Sequence, residues 1–123
     1  MCKDKPTIFV VDDNFSNLIL LEHILSDFYN IVAFSNPYKV LSHLKEKDAH
    51  LIISDLVMPE MNGIELFQEI KKEKPDLPFI ILSAYDKDPD IIQAYEKGIH
   101  KYLVKPVNIP ELMKSIEDAI NKN

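Results

Sequence analysis

The chain has 123 residues and a formal net charge of −6, from 20 acidic side chains against 14 basic ones, all of them lysine. This length suits one compact domain, and 46% apolar with 28% charged residues is typical of a soluble globular protein. The acidic balance argues against direct nucleic-acid binding, which needs clustered cations, and no apolar run reaches the roughly 18–20 residues that span a membrane.

Short apolar runs recur along the chain, separated by segments long enough for a crossover helix and two loops. The runs are continuous rather than alternating in polarity, which predicts parallel strands that are buried on both faces. The predicted strands are Ile8–Val11, Ile31–Phe34, Leu51–Ile53, Phe79–Leu82 and Tyr102–Val104.

Apolar side chains recur at helical spacing between these runs and after the last of them. The stripes are Leu18, Leu21, Leu25 and Phe28; Val40, Leu41 and Leu44; Leu66, Phe67 and Ile70; Ile91, Ile92 and Tyr95; and Leu112, Ile116, Ala119 and Ile120. The order (βα)5 predicts a doubly wound, three-layer α/β sandwich. We expect one domain over residues 1–123, with a structured core of about 6–121 and no output domain.

Prolines and glycines mark the predicted helix ends. Pro37, Pro89 and Pro110 stand where first helical turns begin, because a missing N–H costs nothing there. Gly98 is predicted to follow the end of the fourth helix, and Asn62-Gly63 to form a turn before the third.

Ligands of open parallel sheets bind beyond the carboxyl ends of the strands. Asp12 and Asp13 follow the first predicted strand, Asp55 the third, Ser83 the fourth and Lys105 the fifth. Each has an ordinary structural explanation alone, since Asp after a strand is most often a turn or capping residue. Three carboxylates at one edge would repel each other, however, and a hard divalent cation such as Mg²⁺ is the natural compensator.

This pattern resembles the receiver domain of bacterial two-component response regulators over essentially the whole chain. The matching motifs are Val10-Val11-Asp12-Asp13-Asn14, Asp55-Leu56-Val57-Met58-Pro59 with Asn62-Gly63, Ser83-Ala84, and Tyr102-Leu103-Val104-Lys105-Pro106. The resemblance implies a flavodoxin-like parallel sheet of five strands in the order 2-1-3-4-5.

The resemblance also implies a role for each site residue. Asp55 would accept the phosphoryl group as a carboxylate nucleophile. The cation, Mg²⁺ or Mn²⁺, would be bound by Asp13, Asp55 and the backbone carbonyl of Val57, with Asp12 acting mainly through water. Lys105, preceding a cis peptide bond to Pro106, and the Ser83 hydroxyl would contact phosphoryl oxygens.

By the same resemblance, the domain receives its phosphoryl group from a sensor histidine kinase or a phosphotransfer protein. Ser83 and Tyr102 would then switch the surface formed by the fourth helix, the fifth strand and the fifth helix, where Tyr95 and Met113 are candidate contacts. That surface would control an output domain or partner, and phosphorylation-dependent homodimerisation stays open.

The domain is expected to be a regulator that catalyses only its own phosphorylation and dephosphorylation, not an enzyme. Cys2 alone cannot form an internal disulfide, which favours a reducing, cytoplasmic location. We expect no membrane binding and no direct nucleic-acid binding.

Two residues depart from the common pattern of the family. Val57 is apolar where many members carry a polar group, and Tyr85 is bulky. Both positions should flank the path of the hydrolytic water, which predicts slow self-dephosphorylation.

Three alternative functions stand beside this interpretation. A flavodoxin-like binder of a phosphate-bearing cofactor is disfavoured, because Asp12 and Asp13 would repel a phosphate without a metal. A phosphorylation-independent interaction module on the same fold would not need the complete set of Asp12, Asp13, Asp55, Ser83 and Lys105. A small aspartate-based phosphatase usually has a second acid two residues after its nucleophile, and that position is Val57 here.

Overall fold

The computed structural model describes residues 5–84 and 97–121, which contain five strands and four helices. The strands are β1 (Thr7–Val11), β2 (Asn30–Phe34), β3 (Leu51–Asp55), β4 (Phe79–Ser83) and β5 (Lys101–Val104). The helices are α1 (Phe15–Leu25), α2 (Pro37–Leu44), α3 (Gly63–Glu73) and the C-terminal α4 (Ile109–Asn121). The predicted fourth helix, with Pro89, Ile91, Ile92 and Tyr95, lies outside the described residues.

The strands form one parallel sheet in the order β2-β1-β3-β4-β5, as predicted. Alternate residues of each strand face opposite layers: in β1, Phe9 and Val11 pack against α2 and α3, whereas Ile8 and Val10 pack against α1 and α4. The flavodoxin-like three-layer sandwich is therefore confirmed. No helix within the described ranges is long and apolar enough to cross a membrane.

The prediction that every strand is buried on both faces is right for β1, β3 and β4 and wrong for the two edge strands. In β2 only Phe34 is buried, and in β5 only Leu103 is buried. An edge strand has one neighbour instead of two, and the layers cover it incompletely. The apolar runs indicated strands correctly but did not distinguish edge from centre.

The predicted stripe of the first helix is correct except at its end. Leu18, Leu21 and Leu25 are buried, whereas Phe28 is 58% exposed. Helix α1 ends at Leu25, and the Phe28 N–H donates to the Leu25 carbonyl in a turn. Phe28 therefore does not continue the helical register and does not reach the core.

The start of α3 is packed tightly against the end of β3. Asn62 caps the helix in a reciprocal capping box with Glu65, and the Gly63 N–H donates to the Leu56 carbonyl at 2.8 Å. A Cβ on residue 63 would lie 2.6 Å from the backbone oxygen of Asp55, so the loop after β3 requires glycine here. The sequence predicted only a turn at this glycine.

The other predicted helix boundaries in the described residues agree with the structure. Pro37 occupies the first turn of α2, and Pro110 is the second residue of α4. Gly98 has a φ of 118°, a backbone conformation that favours glycine.

Candidate functional site

The carboxyl ends of β1, β3 and β5 bring acidic and basic side chains together at one edge of the sheet. Asp12 and Asp13 follow β1, Asp55 is the last residue of β3, and Lys105 follows β5. One oxygen from each of the three carboxylates lies within 4.8 Å of the other two. The convergence that was expected from the strand ends is therefore present.

Lys105 contacts two of these carboxylates. Its Nζ lies 3.1 Å from Asp55 Oδ1 and 3.4 Å from Asp12 Oδ2. The Lys105 backbone N–H donates to the Ser83 carbonyl at 2.7 Å, which joins the ends of β4 and β5. The Lys105–Pro106 peptide bond is cis, as predicted.

Asp55 is half-buried, and its hydrogen bonds are asymmetric. Both donors that the described residues offer to its carboxylate, the Leu56 N–H at 3.0 Å and Lys105 Nζ at 3.1 Å, reach Oδ1. Burial raises the pKa of Asp55 above its usual value, with the Lys105 hydrogen bond opposing and the Asp12 charge reinforcing this shift. The nucleophile candidate is thus a carboxylate whose ionised form is disfavoured by burial, and whose Oδ2 accepts neither of these two hydrogen bonds.

Asp12 is buried and hydrogen-bonded on both oxygens. The Asn14 N–H donates to Oδ1 at 2.9 Å, and Asn17 Nδ2 donates to Oδ2 at 3.1 Å. Asp13, by contrast, is exposed. The sequence did not predict the contact between Asn17 and Asp12. The asparagine in the first turn of the helix after Asp12 could have indicated it.

The carboxylate cluster fits a hard divalent cation. Its donors are carboxylate oxygens, the ligands that Mg²⁺ prefers. Three carboxylates against the one ammonium of Lys105 leave two negative charges among the described side chains of the cluster. A divalent ion would balance them, and this supports a metal site without identifying the metal.

Three further predicted site residues lie on β4, on β5 and in the loop after β3. Ser83 is fully buried at the end of β4, one residue beyond Leu82, which pairs with Asp55. Tyr102 is half-buried on β5 and packs against the core on the α3 side. The side chain of Val57 is 57% exposed in the loop after β3.

Three other candidates lie away from this cluster or cannot be placed. Met113 is half-buried against the core formed with α1 and α4. Tyr85 and Tyr95 lie outside the described residues. The structure therefore brings together the acidic residues and Lys105, and it leaves the roles of all these residues as predictions.

Known proteins resemble this chain in both sequence and structure. The family model of the response regulator receiver domain matches residues 8–117. The transcriptional regulatory protein GlrR of Escherichia coli K12 is 37% identical over 121 residues, which are 97% of this chain and 27% of that protein. The DNA-binding transcriptional regulator NtrC of Salmonella typhimurium is 36% identical over 93% of this chain and 24% of its own length.

The chain thus spans about a quarter of the length of these curated relatives. Among solved structures, a response regulator receiver domain protein from Clostridium thermocellum superposes with a TM-score of 0.90 at 30% identity, covering 95% of each chain. Sequence and fold therefore point to the same family.

Proposed function

This chain belongs to the response regulator receiver domain family, and on that basis we propose that it is a phosphorylation-dependent switch in which Asp55 is the phosphoacceptor. The observation that carries this proposal is the convergence of Asp12, Asp13, Asp55 and Lys105 at one edge of the sheet. Receiver domains are regulatory signalling domains, and the autocatalytic chemistry of this one is part of the proposal.

The proposed reaction is an in-line phosphoryl transfer to Asp55. Its Oδ2 attacks phosphorus and forms an O–P bond, while the N–P bond to the donor histidine breaks and its electron pair returns to the imidazole. Lys105 leaves Asp12 and Asp55 to pair with a phosphoryl oxygen, and the Ser83 hydroxyl donates to another. A bound divalent cation supplies electrostatic stabilisation of the transferring group.

The residues that would bind the cation are Asp13, Asp55 and the backbone carbonyl of Val57. Asp12, which is already hydrogen-bonded on both oxygens, would act on it mainly through water. Mg²⁺ is the expected ion, with Mn²⁺ as a substitute, because both prefer oxygen ligands.

Phosphorylation would then change the surface that partners contact. The acyl phosphate carries about two negative charges where the free carboxylate carries one. We expect it to draw the Ser83 hydroxyl toward the phosphate while Tyr102 turns inward. The surface of the predicted fourth helix, β5 and α4, with Tyr95 and Met113, would report this state to an output domain or partner. A cytoplasmic sensor histidine kinase or phosphotransfer protein is the expected donor, and residues 1–123 would act as one receiver domain.

Incubation with Mg²⁺ and acetyl phosphate tests the proposal directly. Intact mass should show one phosphoryl group added per chain, and chelation of Mg²⁺ by EDTA should prevent it. Beryllium fluoride, which mimics the phosphoryl group, should bind to the same site even where autophosphorylation is slow. A chain that acquires neither group would instead be the phosphorylation-independent module.

Slow dephosphorylation is expected from Val57 and Tyr85, two residues whose positions in the sequence are predicted to flank the acceptor. The exposed apolar side chain of Val57 offers no hydrogen bond to orient an attacking water, and Tyr85 adds bulk. Val57→Asn and Tyr85→Glu should each lose phosphate several-fold faster than wild type, as followed by intact mass after removal of the donor. If both variants lost phosphate no faster than wild type, this prediction would be contradicted.

We propose that the donor docks on α1, next to the site. Phe15, Ile19 and Leu20 are 70%, 52% and 56% exposed, and an exposed apolar patch of this kind marks an interaction surface. The groove beside Leu20 continues to Lys105 and is lined by Ile109. An apolar helical face that carries the donor histidine fits this arrangement, because it would bring the phosphoryl group to Asp55.

The Leu20→Glu variant separates docking from chemistry. Phosphoryl transfer from a histidine kinase that phosphorylates wild type should slow about tenfold or more, as expected for an exposed residue that the complex with the kinase would bury. Phosphorylation by acetyl phosphate should proceed at the wild-type rate. Tyr38→Glu, which changes an exposed side chain on α2, is the matched control. If the Leu20→Glu variant accepted phosphate from the kinase at the wild-type rate, the kinase would have to dock on another surface.

A further inference from the structure

We infer that Asn17 is a positioning residue for the phosphorylation site, and that it acts by orienting the Asp12 carboxylate. This inference rests on the proposed function. Asn17 Nδ2 donates to Asp12 Oδ2 at 3.1 Å, and the same oxygen lies 3.4 Å from Lys105 Nζ. Asn17 therefore contacts the acid that faces both the lysine and the carboxylate cluster, without itself facing the acceptor in the contacts described.

The Asp12 carboxylate is held on two sides by the start of α1. The Asn14 N–H donates to Oδ1 at 2.9 Å, and the Asn17 amide donates to Oδ2. Because Asp12 is only 2% exposed, water cannot readily replace a lost donor, and an unsatisfied buried carboxylate is costly. Together the two donors define one orientation of the carboxylate plane.

The first turn of α1 explains how Asn17 reaches Asp12. Asn14 Oδ1 accepts from the backbone N–H groups of Ser16 and Asn17 at 2.9 and 3.2 Å, which fixes the turn. Helical side chains lean toward the N-terminus, so the amide of Asn17 points back toward the end of β1. The capping residue and the positioning residue thus belong to one local arrangement.

The asparagine at position 17 donates a hydrogen bond without carrying a charge, and this suits a site next to a cation. A lysine at position 17 would also donate to Asp12, but it would bring a second ammonium into competition with the cation. An acid would add repulsion to three carboxylates that already repel each other. An amide donates a hydrogen bond and leaves the full charge of Asp12 available to the cation and to Lys105.

Loss of this donor should weaken the cation site more than it weakens the fold. Without Asn17 the Oδ2 of Asp12 keeps only Lys105 as a donor among its described contacts, and the carboxylate can rotate toward the lysine. Removal of a hydrogen-bond partner of a metal ligand typically costs about 10–100-fold in metal affinity, and the cost here should lie at the low end because Asp12 acts on the cation mainly through water. We therefore expect Asn17→Leu, which has similar volume and no donor, to bind Mg²⁺ about tenfold more weakly.

The test combines calorimetric Mg²⁺ titration with phosphorylation by acetyl phosphate over a range of Mg²⁺ concentrations. Asn17→Leu should need about tenfold more Mg²⁺ for half-maximal phosphorylation, and saturating Mg²⁺ should restore most of the rate. Asn17→Gln, which keeps an amide, should lie closer to wild type. Ser16→Leu, which places leucine in the same turn at an exposed position, should match wild type in both measurements.

Asn17→Ala removes the donor without adding bulk, so it decides the question if the leucine variant does not fold. Wild-type Mg²⁺ affinity in Asn17→Ala, or an equal loss in Ser16→Leu, would overturn the positioning role while leaving the proposed function intact. Absence of Mg²⁺ binding and of a phosphoryl adduct in the wild-type protein would overturn both.

Discussion

The Asp55→Asn variant is expected to acquire no phosphoryl group from acetyl phosphate under conditions in which wild type acquires one. An amide does not attack phosphorus as a carboxylate does, and the substitution also removes one charged ligand of the cation. Intact mass after incubation with Mg²⁺ and acetyl phosphate measures the result. Asp76→Asn, which removes an exposed acid outside the cluster, should be phosphorylated like wild type. An equal adduct on Asp55→Asn would assign the acceptor to another residue.

The same variant should be more stable than wild type at neutral pH, so its loss of phosphorylation would not be a loss of folding. Burial raises the pKa of Asp55 in the folded state, with the Asp12 charge reinforcing the effect. Folding therefore favours the protonated acid. Above the raised pKa the folded protein must carry an ionised Asp55 at a cost in stability, and below the ordinary value of about 4 that cost disappears.

Thermal unfolding in EDTA over the range from neutral to acid pH would measure this effect. Asp55→Asn should melt above wild type at neutral pH, because the variant does not carry the cost of an ionised, half-buried carboxylate. The gain should shrink as pH falls through the raised pKa of Asp55. Mg²⁺ should stabilise wild type, by about 2.7 kcal/mol at a hundredfold excess over its dissociation constant, and should stabilise the variant much less. A variant that melts below wild type at neutral pH would contradict the assigned electrostatics.

The Lys105→Met variant should be phosphorylated about 10²–10³-fold more slowly than wild type, the usual cost of removing one preorganised donor to a developing charge. Lys105 Nζ already lies within hydrogen-bond distance of Asp55, so it needs only a short movement to reach a phosphoryl oxygen. Methionine keeps the length of the side chain and removes the charge. Initial rates with acetyl phosphate at saturating Mg²⁺ provide the measurement.

Mg²⁺ affinity distinguishes the role of Lys105 from that of Asn17. Removal of the ammonium leaves the carboxylate cluster more negative, so Lys105→Met should bind Mg²⁺ at least as tightly as wild type, in contrast to Asn17→Leu. Lys114→Met, which changes an exposed lysine on α4, is the matched control and should behave like wild type. If Lys105→Met were phosphorylated within a few-fold of the wild-type rate, Lys105 would have no important part in the proposed phosphoryl transfer.

Much of the fold could be predicted because its main determinants are local. The continuous apolar runs marked β1, β3 and β4 as buried strands, and Pro37 marked the start of α2. Burial at the sheet edges could not be predicted in the same way. Ile31 and Val32 in β2 look as apolar as the residues of β1, yet they are only half-buried, because exposure depends on how many neighbours a strand has.

The candidate site, like the fold, could be predicted from the sequence only in part. Asp12, Asp13, Asp55 and Lys105 could be expected at one edge because each follows a predicted strand, and parallel strands end on the same side. The hydrogen bonds among them could not be expected, since they depend on distances between residues that lie far apart in the chain. Asn17 illustrates the difference: its type was visible, but its contact with Asp12 depends on the angle at which α1 leaves the sheet.

The sequence by itself determined the five strands, the four helices of the described residues, the residues at the strand ends and, through its motifs, the receiver family. These features depend on short-range periodicity and on the chemistry of single residues, which one chain displays directly. Only the tertiary structure decided that Lys105 contacts both Asp12 and Asp55, that burial raises the pKa of Asp55, and that Gly63 must lack a side chain beside the Asp55 carbonyl. Those properties arise from the packing of separate elements against one another, and packing sets the distances and the solvent exposure that no local pattern contains.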